Sequence, residues 1–172
     1  MAGQRVRRAV TGHDTKGRSI VVSDQTAEME GILHEHWLTD STPARFGGKP
    51  NLGKLPNNLE PPKNGTVIRF VEFQANEGAS REELEQRYSA AFASIKASHT
   101  RVDTRRHPAM HKTKTLDYGI VLSGKIKLLL DEGEETILEP FAVVIQRGTN
   151  HGWVNPGPGP ALMAFILIDA VE

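Results

Sequence analysis

The sequence predicts an all-β domain, a sandwich or barrel of short antiparallel strands, with one α-helix packed outside it. Three observations carry that expectation. From Asp117 onward, short apolar and β-branched runs recur about every 8–12 residues with turn residues between them. Upstream, Thr66–Phe73 (TVIRFVEF) is β-branched and aromatic, as strands are. One stretch alone, about residues 80–97, repeats its apolar residues at helical spacing.

Taken in order, residues 1–30 are polar with two apolar bursts, Ala9-Val10 and Ile20-Val21-Val22, and read as an N-terminal arm with one or two strands. Gly31–Leu38 (GILHEHWL) reads as a strand on which His34 and His36 share a face, a spacing open to a metal pair or to a solvated surface. Residues 41–65 hold five of the ten prolines and lack periodicity, so they read as a long irregular loop. Ser80-Arg81-Glu82-Glu83 has the pattern of a capping box, in which the Ser80 hydroxyl and the Glu83 carboxylate each take a backbone N–H at the helix start. Leu84, Tyr88, Ala91, Phe92 and Ile95 then form one apolar stripe, read as core packing. Asp117–Leu122 and Lys125–Asp131 flank Ser123-Gly124, a two-residue hairpin signal. Glu134–Leu138, Ala142–Gln146, His151–Asn155 and Ala161–Asp169 complete the strands. No internal repeat divides the chain. Residues 1–172 read as a single domain, with 1–62 as arm and irregular loop and 63–172 as the barrel core with its inserted helix.

Composition narrows the function. Lys and Arg together number 21, as do Asp and Glu, so the formal net charge is +0. That balance lacks the basic signature of a nucleic-acid or anionic-membrane partner. The chain has no cysteine, which removes disulfides, thiolate catalysis and zinc ribbons together. The basic residues near the N-terminus are not followed by an apolar run, and no stretch approaches the ~18 apolar residues of a membrane span. The expected location is cytoplasmic, and the expected partner a small molecule.

The residues able to carry chemistry concentrate near the strands after residue 105. His111 lies six residues before Asp117, and Asp117 seven before Gly124. Downstream, His151 follows Gly148 by three residues and precedes Asn155 by four. This spacing resembles the two motifs of the cupin superfamily, in the manner of small single-domain cupins. The resemblance covers about residues 105–169 and is strongest in DYGIVLSGKIKLLL and VVIQRGTNHGWVN. It departs from the family pattern at four places: Thr113 stands where a second histidine is usual, Asp117 replaces Glu, Gln146 replaces Pro, and the turn before the second motif reads Pro140-Phe141-Ala142 where Pro-Gly-Asp is commoner.

The resemblance implies an antiparallel jelly-roll barrel with an N-terminal arm and the 80–97 helix outside, and a homodimer. It also implies a metal-dependent enzyme acting on a small organic acid, phenolic or carbonyl metabolite, by oxygenation, decarboxylation, dehydration or isomerisation. The implied ligands are His111, Asp117 and His151, a two-histidine, one-carboxylate set suited to Fe(II) and tolerant of Mn, Ni or Zn. His107 and His111 are the candidate acid–base groups, since imidazole titrates near neutrality. Thr113 and Thr115 alternate into Asp117 and are expected to share its face. Arg69 on the TVIRFVEF strand is a candidate for bidentate recognition of a substrate carboxylate. Gln146 and Trp153 complete the candidate substrate pocket. Other readings stay open: Asp117 as a turn cap or a partner of Lys112 or Lys114, the histidines as loop or hydrogen-bonded core residues, and the whole as a metal-free binding module or an acid–base isomerase or epimerase.

Overall fold

A computed structural model describes residues 5–28, 33–46 and 58–171. Gly31 and Ile32 of the predicted GILHEHWL strand, and residues 47–57 of the proline-rich loop, lie outside the described residues. Strands β1 (Arg5–His13) and β2 (Ser19–Glu28) form an antiparallel hairpin of their own, which is the expected arm. Asp14 closes its turn: Oδ1 accepts the Lys16 and Arg18 N–H groups at 2.8 and 2.9 Å, and Gly17 takes the left-handed conformation that side chains disfavour.

The remaining strands build two sheets. The larger contains β3 (Leu33–Thr39), β4 (Thr66–Phe73), β5 (Thr115–Ser123), β8 (Val143–Arg147) and β10 (Ala161–Asp169), in the order β3-β4-β10-β5-β8. The smaller has β6 (Ile126–Leu130) between β7 (Thr136–Leu138) and β9 (His151–Val154). Every strand pair is antiparallel. From β5 onward the chain shuttles between the two sheets, which is the jelly-roll path that the sequence predicts. The sheets share one core, with Val67, Val121, Ile126, Trp153, Met163 and Phe165 in a single cluster. Among the described residues, strand pairing does not close them into a continuous barrel. One isolated bridge, Ala75 to Asn155, ties the end of β4 to the end of β9.

Side-chain alternation decides which groups enter the core. On β4, Val67, Arg69 and Val71 are buried while their neighbours are partly exposed. On β5, Thr115, Asp117, Gly119 and Val121 are buried. The period of two therefore carries Arg69 and Asp117 inward along with the aliphatic residues.

Helix α1 (Arg81–Ser94) begins as its sequence predicts: Ser80 Oγ accepts the Glu83 N–H at 3.2 Å, and Glu83 accepts the Ser80 N–H at 2.8 Å. It packs outside the sheets, as expected, with one face turned inward: Phe92 and the following Ile95 belong to the main core cluster. The reason is visible in the stripe itself, whose aromatic and aliphatic residues need a buried surface to cover. The Arg101 guanidinium ties the helix to the loop that follows it by donating to Glu85 at 2.8 Å and to the Pro108 carbonyl at 3.0 Å.

Asn155 holds the two sheets together where β9 ends. Its amide donates to the Phe73 carbonyl at 2.8 Å and to the Gly159 carbonyl at 2.7 Å, and its oxygen accepts the Gly157 N–H at 2.8 Å. Truncation leaves buried partners unpaired, each costing about 1–3 kcal/mol. Asn155→Ala is expected to lower stability by roughly 2–4 kcal/mol in urea unfolding with unchanged m-value. A loss below ~0.5 kcal/mol would contradict this role.

Candidate active site

A cavity of about 240 Å³ lies between the sheets and α1. An engineered cavity of ~150 Å³ in another protein takes up benzene, so this volume suits a substituted single ring or a molecule of similar size. Its walls are mostly apolar, with Val71, Phe73, Phe92, Trp153, Phe165 and Leu167 prominent. Five polar side chains gather on one side: Arg69, His111, Thr113, Asp117 and His151.

The two histidines are brought together by main-chain pairing. The His111 N–H donates to the His151 carbonyl at 2.8 Å, and the His151 N–H returns the bond at 2.9 Å. This bridge draws the 107–113 loop onto β9 and sets the two rings 4.3 Å apart, centroid to centroid. Each ring is anchored through Nδ1, which donates to the Ala109 carbonyl in His111 and to the Thr149 carbonyl in His151, both at 2.9 Å. A carbonyl only accepts, so Nδ1 carries the proton and Nε2 keeps its lone pair. Burial holds both rings in the neutral form. It lowers His111 to about 4, the Ala109 bond opposing, and His151 to about 3, with the neighbouring His111 lowering it further.

Asp117 is 5% exposed, and its Oδ1 has no hydrogen-bond partner. Burial raises its carboxyl to about 6, although the Thr115 hydroxyl and the Arg69 charge pull the other way. Arg69 is 1% exposed. Its Nη2 donates to the Asn58 carbonyl at 3.0 Å, while Nε and Nη1 have no acceptor among the described residues. Glu35 stands opposite Arg69 in the β3–β4 register, with Oε1 at 3.1 Å from Nη2. Nη2 is directed at Asn58, so both Glu35 oxygens lack a hydrogen bond, and burial raises this carboxyl to about 7 against the pull of Arg69.

The expected three-ligand metal centre is not assembled. Among the described residues no three histidine or acidic side chains converge at metal-ligand spacing. His111 and His151 are paired, and their Nε2 lone pairs are suitable donors, but Asp117 stands apart on the same cavity wall. The donor set thus fits two ligands and not the three that the sequence implies. His34 and His36 form no such centre either: a β-bulge follows Glu35, and His36 packs its edge on Phe70 with centroids 4.8 Å apart.

Three other expectations need correction. His107 does not line the cavity: its Nδ1 accepts the Ala109 N–H at 3.0 Å, which makes it the lock of a tight turn, and its ring packs edge-on against Tyr88. Gln146 is buried opposite Asp117 in the β5–β8 register, but its amide is spent on Thr149, donating to the carbonyl at 2.8 Å and the hydroxyl at 2.6 Å. Thr115 shares a hydrogen bond with Thr113, 2.7 Å between hydroxyls, and stands one residue behind the cavity wall. Thr113, Trp153, Arg69, Asp117, His111 and His151 all line the cavity as expected. Sequence reading missed Glu35, and it missed Tyr88, Phe92 and Ile95 as cavity wall. The helical stripe held the signal for the last three, whereas Glu35 becomes significant only through its register with Arg69.

Known proteins complete the picture. Residues 99–168 match the Cupin_2 family, described as a cupin domain. Over 96% of its length the chain is 29% identical to the cupin-domain-containing oxidoreductase fogC of Aspergillus ruber, covering 73% of that protein. It is 27% identical to the cupin-domain-containing oxidoreductase virC of Hypocrea virens, over 96% of this chain and 77% of that one. A 62-residue segment is 56% identical to the phomopsin biosynthesis cluster protein C' of Diaporthe leptostromiformis, covering 36% of this chain and 33% of that protein. Among the described residues no helix is long and apolar enough to cross a membrane.

Two outcomes follow from this geometry. Asp117 is raised from 3.8 to about 6 in the fold, so its contribution favours folding below pH 4 and is lost as pH rises through 6. Asp117→Asn is therefore expected to stabilise the protein by roughly 1–3 kcal/mol at pH 8, with the gain shrinking toward pH 5, as read by urea unfolding at both pH values. An equal shift at both would show an ordinary carboxyl. Protein purified without a histidine tag is expected to carry transition metal well below one ion per chain by plasma mass spectrometry. Stoichiometric iron, manganese, nickel or zinc that disappears in His151→Ala would show that Asp117 does close on the paired imidazoles.

Proposed function

We propose that this protein is an enzyme of small-molecule metabolism, an oxidoreductase like its relatives fogC and virC. Its substrate is a small, largely apolar organic acid, phenolic or carbonyl metabolite of about one ring. The observation that carries this reading is a buried carboxylate oxygen without a partner, Asp117 Oδ1, in the same apolar cavity as two unpartnered guanidinium donors of Arg69. Unpaired polar groups of this kind are costly in a finished fold, and they gain their partners when substrate binds.

The chain's own part is binding and proton transfer. Arg69 donates to the substrate oxygen from Nε and Nη1. Asp117, ionised at neutral pH and poorly solvated, accepts a proton from the carbon or hydroxyl next to that oxygen. The guanidinium stabilises the enolate or phenolate that forms, in a cavity where water screens the charge weakly. The neutral imidazoles of His111 and His151 offer Nε2 as acceptors beside it. Formation of an electron-rich enolate or phenolate is the step shared by isomerisation and by oxidation through an external acceptor. The apolar walls select the body of the substrate by shape.

The test is a thermal-shift and ligand-observed NMR screen of one-ring carbonyl, phenolic and carboxylic compounds beside one-ring amines, followed by proton exchange of the hits in D₂O. Carbonyl and phenolic compounds are expected to raise Tm and to lose this effect in Arg69→Met. Exchange of the acidic C–H is expected to fall at least ~100-fold in Asp117→Asn, the scale of a lost general base. Preferential binding of amines, or exchange undiminished in Asp117→Asn, would overturn the reading.

A further inference from the structure

We propose that Glu35 makes this cavity selective for an uncharged carbonyl ligand and against a carboxylate. The inference rests on the reading of Arg69 as the substrate-oxygen donor and narrows its substrate class. It corrects the sequence-level expectation that Arg69 grips a substrate carboxylate.

Buried charge decides the preference. Arg69 is a buried guanidinium of the cavity wall, and it sits between two buried carboxylates, Glu35 on β3 and Asp117 on β5. The Glu35 side chain is 8% exposed and directly opposite Arg69 across the β3–β4 ladder. One positive group thus already serves two negative ones. A ligand carboxylate would be a third anion around the same guanidinium, in a region whose walls are apolar and whose dielectric response is weak. At the mouth, Arg87 and Glu72 are of opposite sign and close to solvent, so they do not restore the balance.

The free donors fit the same conclusion. Nη2 is held by the Asn58 carbonyl and lies against Glu35. Nε and Nη1 remain, offering hydrogen bonds without surplus positive charge. A ketone or aldehyde oxygen accepts such bonds and adds no charge. Glu35 is therefore a specificity residue that acts through Arg69, set by strand register and not by contact with the ligand.

The experiment compares acetophenone with benzoate, matched in size and differing in charge, by ligand-observed NMR at pH 8 in the full chain. Wild type is expected to bind acetophenone at least ~10-fold more tightly than benzoate. Glu35→Gln keeps the side-chain shape and removes one negative charge. It is expected to tighten benzoate by ~10-fold or more while acetophenone changes by less than ~3-fold. Should Glu35→Gln not fold, Asp117→Asn removes the other negative charge and is expected to admit benzoate in the same way. Benzoate binding wild type as well as acetophenone does, or unmoved by loss of either carboxylate, would overturn the selectivity while leaving the oxygen-binding cavity intact. Failure of both probes to bind any of the proteins would overturn the cavity reading and this inference together.

Discussion

A guanidinium buried to 1% exposure is the constraint around which the site is organised. Arg69 occupies an inward position of β4 between Val67 and Val71, where alternation would otherwise place another aliphatic residue. Its charge cannot remain in an apolar core without compensation. The fold supplies it from three directions: Glu35 across the β3–β4 ladder, Asp117 from β5, and the Asn58 carbonyl of the proline-rich segment. Compensation is electrostatically more than complete and geometrically incomplete. Two carboxylates face one cation, yet two guanidinium nitrogens and three carboxylate oxygens remain without hydrogen bonds. A core built only for stability would pair these groups or replace them with aliphatic residues.

The histidine pair depends on a different device. Reciprocal backbone bonds between His111 and His151 dock a loop onto the edge of the smaller sheet and leave both Nε2 atoms with free lone pairs. The wall opposite is provided by α1, whose Tyr88, Ala91 and Phe92 complete the apolar lining together with Ile95. The site is thus shared among both sheets, the helix and a loop, which explains why no short motif contains it. Three-ligand metal chemistry would need Asp117 to join the imidazoles. Asp117 instead lies within electrostatic reach of Arg69.

Much of the fold was legible in the sequence. Strands β4 and β10 coincide with the runs Thr66–Phe73 and Ala161–Asp169, and β5 to β9 lie within a few residues of their predicted bounds, because turn residues separate unambiguous β-branched segments. The capping box marked the start of α1 for the same local reason. The site was legible only in part. Arg69 and Asp117 sit at inward positions that sequence alternation exposes, and the spacing resemblance singled out His111 and His151. The roles of His107 and Gln146 were not legible, since both are absorbed by local backbone bonds to Ala109 and Thr149. Glu35 was invisible for a deeper reason. Nothing local distinguishes it from other glutamates, and its importance comes from a strand register joining residues 34 positions apart in the chain.

The central claim is that Asp117 is held in the cavity as an under-solvated carboxylate answering to Arg69. The most direct measurement is a carbon-13 NMR titration of the Asp117 side-chain carboxyl in the full chain, in wild type and in Arg69→Met. The account predicts a midpoint near 6 in wild type. It also predicts an upward move when the guanidinium is removed, because the opposing positive charge is gone and burial remains. A wild-type midpoint near the ordinary carboxylate value of about 4, or one indifferent to loss of Arg69, would contradict it.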